Sequence, residues 1–112
     1  QEQLALLNAH PELAGKEAQT GSLTEASTHE QSVAGLGALD AAQRSDLSEL
    51  NRRYLERFGF PFIICARLNS RDAIFGSLRA RLTNSREQEL QNALTQVGQI
   101  ARLRLLDILA EP

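Results

Sequence analysis

The stretch from Ser85 to Leu109, "SREQELQNALTQVGQIARLRLLDIL", constrains this chain more than any other. At about 100° per residue, Leu90, Leu94, Val97, Ala101, Leu105 and Ile108 fall into one apolar stripe. That is the pattern of a long helix with one face against a core. Ser85 stands where such a helix is capped. Whatever else the chain forms must pack on this element.

The remaining segments also read as helices. Residues 2–8 carry Leu4, Leu6 and Leu7 and stop before Pro11, which pushes His10 into an extended conformation. The stretch Leu13–Thr24 is rich in small and polar residues and is expected to loop over the surface. A helix is expected from about Ser27 to about Leu36. Asp40 can cap the next, which aligns Leu47, Leu50, Tyr54 and Phe58, and Gly59 suits its left-handed end. Ser70 can cap a shorter helix through Arg81. Between these two lies "FGFPFIICA", the most apolar segment. A lone strand there would lack a partner, and Pro61 removes a ladder donor, so an extended connector threaded through the core is expected. Its buried amides must then find partners elsewhere, a ligand among them. The fold class is all-α, one helical-bundle-like domain over residues 1–112.

Length allows one modest core, and 42% hydrophobic with 23% charged residues describes a globular chain. Twelve basic against fourteen acidic residues leave a net charge of −2, which argues against a nucleic-acid surface. No apolar run is long enough for a membrane span. The single cysteine, Cys65, excludes an internal disulfide and suits a reducing compartment, so a cytoplasmic location is expected. His10, His29 and Cys65 do not have the spacing of a metal set. Cys65 reads as a core filler and His29 as solvent-facing. Arg67, Arg71, Arg79 and Arg81, spread around a short helix, read as solvated charge. Gly35 and Gly37 follow no strand and open no phosphate loop. The chain has no methionine and begins at Gln1 inside a helical pattern, so a longer domain is expected upstream.

Three side chains could carry chemistry. His10 is either an ornament of a helix end or a proton carrier with a suitable pKa range. Glu30 could close a capping box with Ser27, though Thr24 and Thr28 offer competing caps and leave its direction open. Arg104 shares the stripe side of the last helix, near Val97, Ile100 and Ile108, whereas Arg102 points away with Gln91 and Thr95. An arginine so placed either snorkels at the edge or needs an anion, from Glu30 or from a substrate.

Four blocks in order, "LLNAHPELAGK", "STHEQSVAGL", "NRRYLERFGFPFIICARL" and "REQELQNALTQVGQIARLRLLDIL", resemble the 2-oxo-4-hydroxy-4-carboxy-5-ureidoimidazoline (OHCU) decarboxylases of urate catabolism. The resemblance covers nearly all the chain and implies an all-helical, cofactor-free, metal-free lyase, usually a homodimer, that forms (S)-allantoin and carbon dioxide. Family members carry further helices upstream. The histidine of the His-Pro pair is the family's catalytic one, which implies that role for His10. The resemblance likewise maps catalytic groups onto Glu30 and Arg104. It implies substrate contacts at Pro11, Ser27 and Gln31 and along the connector at Phe60, Pro61, Phe62 and Ile63. The competing reading is a non-catalytic helical interaction module with "FGFPFI" as its docking surface, which requires exposed aromatics.

Overall fold

The computed structural model describes residues 2–10, 29–31 and 35–110. The elements in chain order are α1 (Glu2–Asn8), a helical turn at residues 29–31, a 3-10 turn at Leu36–Ala38, α2 (Ala41–Phe58), a 3-10 turn at Ala66–Leu68, α3 (Arg71–Arg81) and α4 (Arg86–Ala110). No strand occurs among the described residues, and no helix is long and apolar enough to cross a membrane. The all-α expectation holds. The expected loop at residues 13–24 lies outside the described residues, as does the Ser27 helix start.

The helix ends follow from their caps. Asp40 and Gln43 form a reciprocal box: the Asp40 carboxylate accepts from the Gln43 amide at 2.7 Å, and the Gln43 side chain accepts from the Asp40 amide at 3.0 Å. Gly59 closes α2 at φ +81°, in the left-handed region that costs glycine nothing. Ser70 accepts from the Ala73 amide. Ser85 and Gln88 repeat the box at the start of α4. The expected helix running to about Leu36 ends earlier. Gly35 already has φ +82°, and a 3-10 turn follows it. Asp40→Ala should cost ~1 kcal/mol, the usual price of a lost N-cap, read from the urea midpoint.

The core sits where α2, α3 and α4 meet the connector. Leu47, Leu50, Tyr54 and Phe58 of α2 are buried on one face, as expected, against Ile74 and Leu78 of α3 and Ala93 and Ile100 of α4. Phe60 and Phe62 from the connector join Tyr54 and Phe58, with ring centroids 4.5 to 6.1 Å apart in mostly tilted and edge-on contacts. Such rings bury large apolar areas and carry much of a small core. Leu7 is fully buried and anchors α1.

The connector solves its hydrogen-bonding problem with side chains instead of a ladder. The Ile63 carbonyl accepts from Arg81 Nη1 at 3.0 Å, the Cys65 amide donates to Gln96 Oε1 at 2.8 Å, and the Cys65 carbonyl accepts from Asn69 Nδ2 at 2.9 Å. Phe60, Pro61, Phe62, Ile63, Ile64 and Cys65 are all buried and belong to no strand. Cys65 is the core filler expected of it.

Two readings are corrected here. Arg81 is not solvated charge: it is 9% exposed, its Nε donates to Glu89 at 2.7 Å, and its guanidinium lies 4.4 Å from the Phe62 ring centre. Glu89, with no exposed surface, also accepts from Tyr54 Oη, Asn84 Nδ2 and Asn92 Nδ2. The α4 stripe is also rotated. Its buried residues are Glu89, Ala93 and Ile100, whereas Ala101, Leu105 and Ile108 are exposed. A helix turns toward the neighbours it has, and among the described residues α1 and α2 meet α4 on the Ala93–Ile100 side.

Candidate functional site

Each of the three candidate side chains is delivered by a different segment. Leu7 pins α1 into the core, and the His10 amide, one turn on, still donates to the Leu7 carbonyl at 3.2 Å. The imidazole therefore leaves α1 at the edge of the core, half-buried. Glu30 and Gln31 lie on the helical turn at 29–31, both buried, while His29 beside them is exposed as expected. Arg104 extends from the penultimate turns of α4, two turns beyond Gln96.

Ser27, the other end of the expected capping box, lies outside the described residues, and the Glu30 carboxylate finds its partner on α4. It takes the Arg104 fork across a sequence separation of 74 residues, with Nε–Oε2 at 3.2 Å and Nη2–Oε1 at 2.7 Å. Side-chain exposure is 10% for Glu30 and 36% for Arg104. A buried carboxylate gains more from a two-point guanidinium than from one amide, so the ion pair is the interaction that directs Glu30. Arg104 is not a snorkelling residue; its anion is Glu30. Arg102 is exposed, on the far side of the helix as expected.

His10 belongs to the same electrostatic cluster. Burial lowers its pKa from the ordinary value of 6.5, the positive charge of Arg104 lowers it further, and Glu30 opposes both. The net shift is downward, which favours the neutral imidazole. Glu30 is also felt at the Cys65 thiol, whose pKa is raised by burial above all. The cluster therefore borders the end of the connector. Arg67, paired with Asp107 at 2.6 Å, lies within reach of the same field. The arrangement offers a proton acceptor biased toward its neutral form and a cation held in a fixed plane by a carboxylate.

Of the other expected contacts, Gln31 is buried next to Glu30, and Phe60, Pro61, Phe62 and Ile63 are buried in the connector. Pro11 and Ser27 lie outside the described residues. No group of three metal-ligating side chains occurs among the described residues. The buried aromatics remove the ground for "FGFPFI" as an open docking surface: Phe60 and Phe62 are at most 1% exposed.

Sequence reasoning missed Arg81, Glu89 and Gln96, which hold the connector. A signal existed for Glu89. Phasing the helix on Ala93 and Ile100, instead of on the more hydrophobic leucines, brings Glu89 to the buried side by the same 100° arithmetic. Gln96 had no comparable signal, since a half-buried glutamine is ordinary on a helix flank.

Comparison with known proteins identifies the family. The model of the family described as OHCU decarboxylase matches residues 1–106. The chain is 46% identical over 110 residues to the 2-oxo-4-hydroxy-4-carboxy-5-ureidoimidazoline decarboxylase of Amia calva, covering 98% of this chain and 63% of that protein. It is 48% identical over 107 residues to the mouse (Mus musculus) protein of the same name, covering 96% of this chain and 60% of that one. The chain thus spans somewhat less than two thirds of the length of these relatives. A crystal structure of OHCU decarboxylase in the presence of (S)-allantoin superposes with a TM-score of 0.78 at 28% identity, covering 97% of this chain and 68% of that one. With ordered blocks, helical fold and relatives in agreement, the chain belongs to the OHCU decarboxylase family.

Proposed function

We propose that this chain carries the decarboxylation of 2-oxo-4-hydroxy-4-carboxy-5-ureidoimidazoline to (S)-allantoin and carbon dioxide, with His10, Glu30 and Arg104 as its catalytic groups. The observation that carries the reading is the meeting of three distant segments: Glu30 forks onto Arg104, and both charges act on the His10 imidazole.

The reaction needs little more than such a cluster. The bond between the carboxylate and the ring carbon breaks, carbon dioxide leaves, and the electron pair passes into the adjacent imine of the ring. The imine nitrogen that receives the pair takes a proton from solvent, the hydroxyl proton leaves, and a proton arrives on one face of the neighbouring carbon to set the (S) product. A neutral His10 takes the first proton as a base and can return one as an acid. Arg104, held in plane by Glu30, orients the substrate anion and offsets charge as it develops. Glu30 positions that guanidinium and raises the affinity of His10 for its proton. The buried connector at Phe60 to Ile63, with Gln31, Pro11 and Ser27, shapes the substrate's surroundings. The chemistry asks for no organic electron sink, and no cofactor or metal is assigned.

The test compares two arginines on one helix. Arg104→Ala should reduce kcat/KM for OHCU by ~2–5 kcal/mol, the range for removing one partner of a buried charge pair. Arg102→Ala should leave it near the parent value. Arg104→Lys should recover only part of the loss, since it keeps the charge without the fork. Similar losses at 102 and 104 would show that this side of α4 faces no site.

The exposed Leu105, Leu106, Ile108 and Leu109 on the last turns of α4 support a homodimer as the working form. The one free cysteine, buried and unpaired with another, fits a cytoplasmic setting.

A further inference from the structure

Ile64 is 6% exposed, yet neither its N–H nor its C=O has a hydrogen-bond partner among the described residues. Buried main-chain groups left this way are costly; Phe60 and Phe62 share the condition, and what sets Ile64 apart is how its neighbours are held. The peptide groups on either side of Ile64 are both held. Arg81 Nη1 donates to the Ile63 carbonyl at 3.0 Å, and the Cys65 amide donates to Gln96 Oε1 at 2.8 Å. No peptide bond among the described residues is cis. In a trans peptide the carbonyl and the amide hydrogen point to opposite sides. Turning the Ile63 carbonyl toward Arg81 therefore turns the Ile64 N–H away from it. Turning the Cys65 N–H toward Gln96 likewise turns the Ile64 C=O away. The two anchors are themselves tied to one helix: Arg81 is held by Glu89, two turns before Gln96 on α4.

We propose that Arg81 and Gln96 are positioning residues that orient the two peptide planes around Ile64, so that its N–H and C=O together meet a donor–acceptor edge of the amide or ureide type. The inference rests on the reading above that the connector meets the substrate. Substrate and product both present such edges, with carbonyl and N–H groups side by side. Arg81 and Gln96 touch no substrate in this scheme; they act through the main chain of Ile64. Their bonds replace the neighbouring strand that would otherwise set the twist of an apolar segment.

Gln96 is the cleaner probe, because its side chain is half-buried and serves the Cys65 amide, whereas Arg81 is also part of the core. In the full chain, Gln96→Met keeps the length and deletes the acceptor, and Gln96→Glu keeps an acceptor oxygen. The measurements are kcat and KM for OHCU, thermal melting, and the Ile64 amide resonance during titration with (S)-allantoin. Gln96→Met is expected to raise KM about tenfold with kcat within about twofold, the pattern of lost binding that is common to ground and transition states. It should also shrink the allantoin-induced shift of the Ile64 amide, and Gln96→Glu should bring both back toward the parent. A Gln96→Met variant with the parent's KM and the parent's Ile64 shift overturns the proposal. So does one whose kcat, KM and melting point fall together without rescue by glutamate, since that is a structural role. A parent chain that turns over no OHCU overturns the proposed function and carries this inference with it. An active parent with an indifferent Gln96→Met overturns the inference alone.

Discussion

His10→Asn is expected to lower kcat for OHCU decarboxylation by ~10²–10⁴-fold, the usual contribution of a positioned general acid–base. Binding of (S)-allantoin should stay within a few-fold of the parent, because the asparagine amide can still donate and accept hydrogen bonds where the imidazole did. The melting temperature should change little, as His10 lies at the edge of the core and leaves Leu7 to anchor α1. A variant that turns over substrate like the parent would remove His10 from the mechanism.

The pH dependence separates its possible roles. Burial and the Arg104 charge hold the His10 pKa below 6.5 against the opposing pull of Glu30. Because the shift favours the neutral imidazole, kcat/KM should be level through neutrality. It should fall only as pH drops below 6.5 through the lowered pKa, where the base becomes protonated. Activity that instead rises on the acid side would mark the imidazolium as the starting form. The same shift acts weakly on stability. The unfolded chain binds the His10 proton more tightly than the folded one, so that contribution is present above pH 6.5 and is lost as pH falls through the folded value.

The largest effect on folding should come from Glu89. Glu89→Ala removes the acceptor shared by Arg81, Tyr54, Asn84 and Asn92 and leaves the Arg81 charge buried. Breaking a buried pair from one side costs ~3–5 kcal/mol, a large part of what holds a domain of this size together. Urea unfolding would read the loss directly. Arg52→Ala is the control, since its pairs with Glu49 and Glu56 are exposed and should not move the midpoint measurably.

Acid should expose the same network. Burial pushes the Glu89 carboxyl upward, but the hydrogen bonds from Asn84, Tyr54, Asn92 and Arg81 outweigh it and leave the pKa below 4.5. A depressed carboxyl stabilises the fold above its unfolded pKa. That stability goes as pH falls below about 4.5 toward the folded value. Glu89→Gln should therefore flatten the acid limb of stability against pH, besides lowering its plateau. An unchanged limb would assign acid unfolding to other carboxylates.

Local chemistry was legible in the residues alone. Asp40, Gly59, Ser70 and Ser85 act on backbone groups a few positions away, so the ends of α2 and α3 and the start of α4 could be read by inspection. Pro61 and the lack of a partner strand spoke against a sheet, and the connector is indeed buried without one. The family blocks pointed to His10, Glu30 and Arg104, and helical phase separated Arg104 from Arg102 before any coordinates. What sequence could not decide was how side chains choose between partners at a distance. The residues around Glu30 suggested only a local cap, and it took the approach of α4 across 74 residues to bring it a guanidinium. Arg81 had the composition of a surface residue, and it became internal because the Ile63 carbonyl, Glu89 and Phe62 all converge on it. The phase of α4 was misread toward Leu105 and Ile108 because hydrophobicity says which residues can be buried. Which of them are buried depends on where neighbouring helices stand, and that is a property of the packed molecule alone.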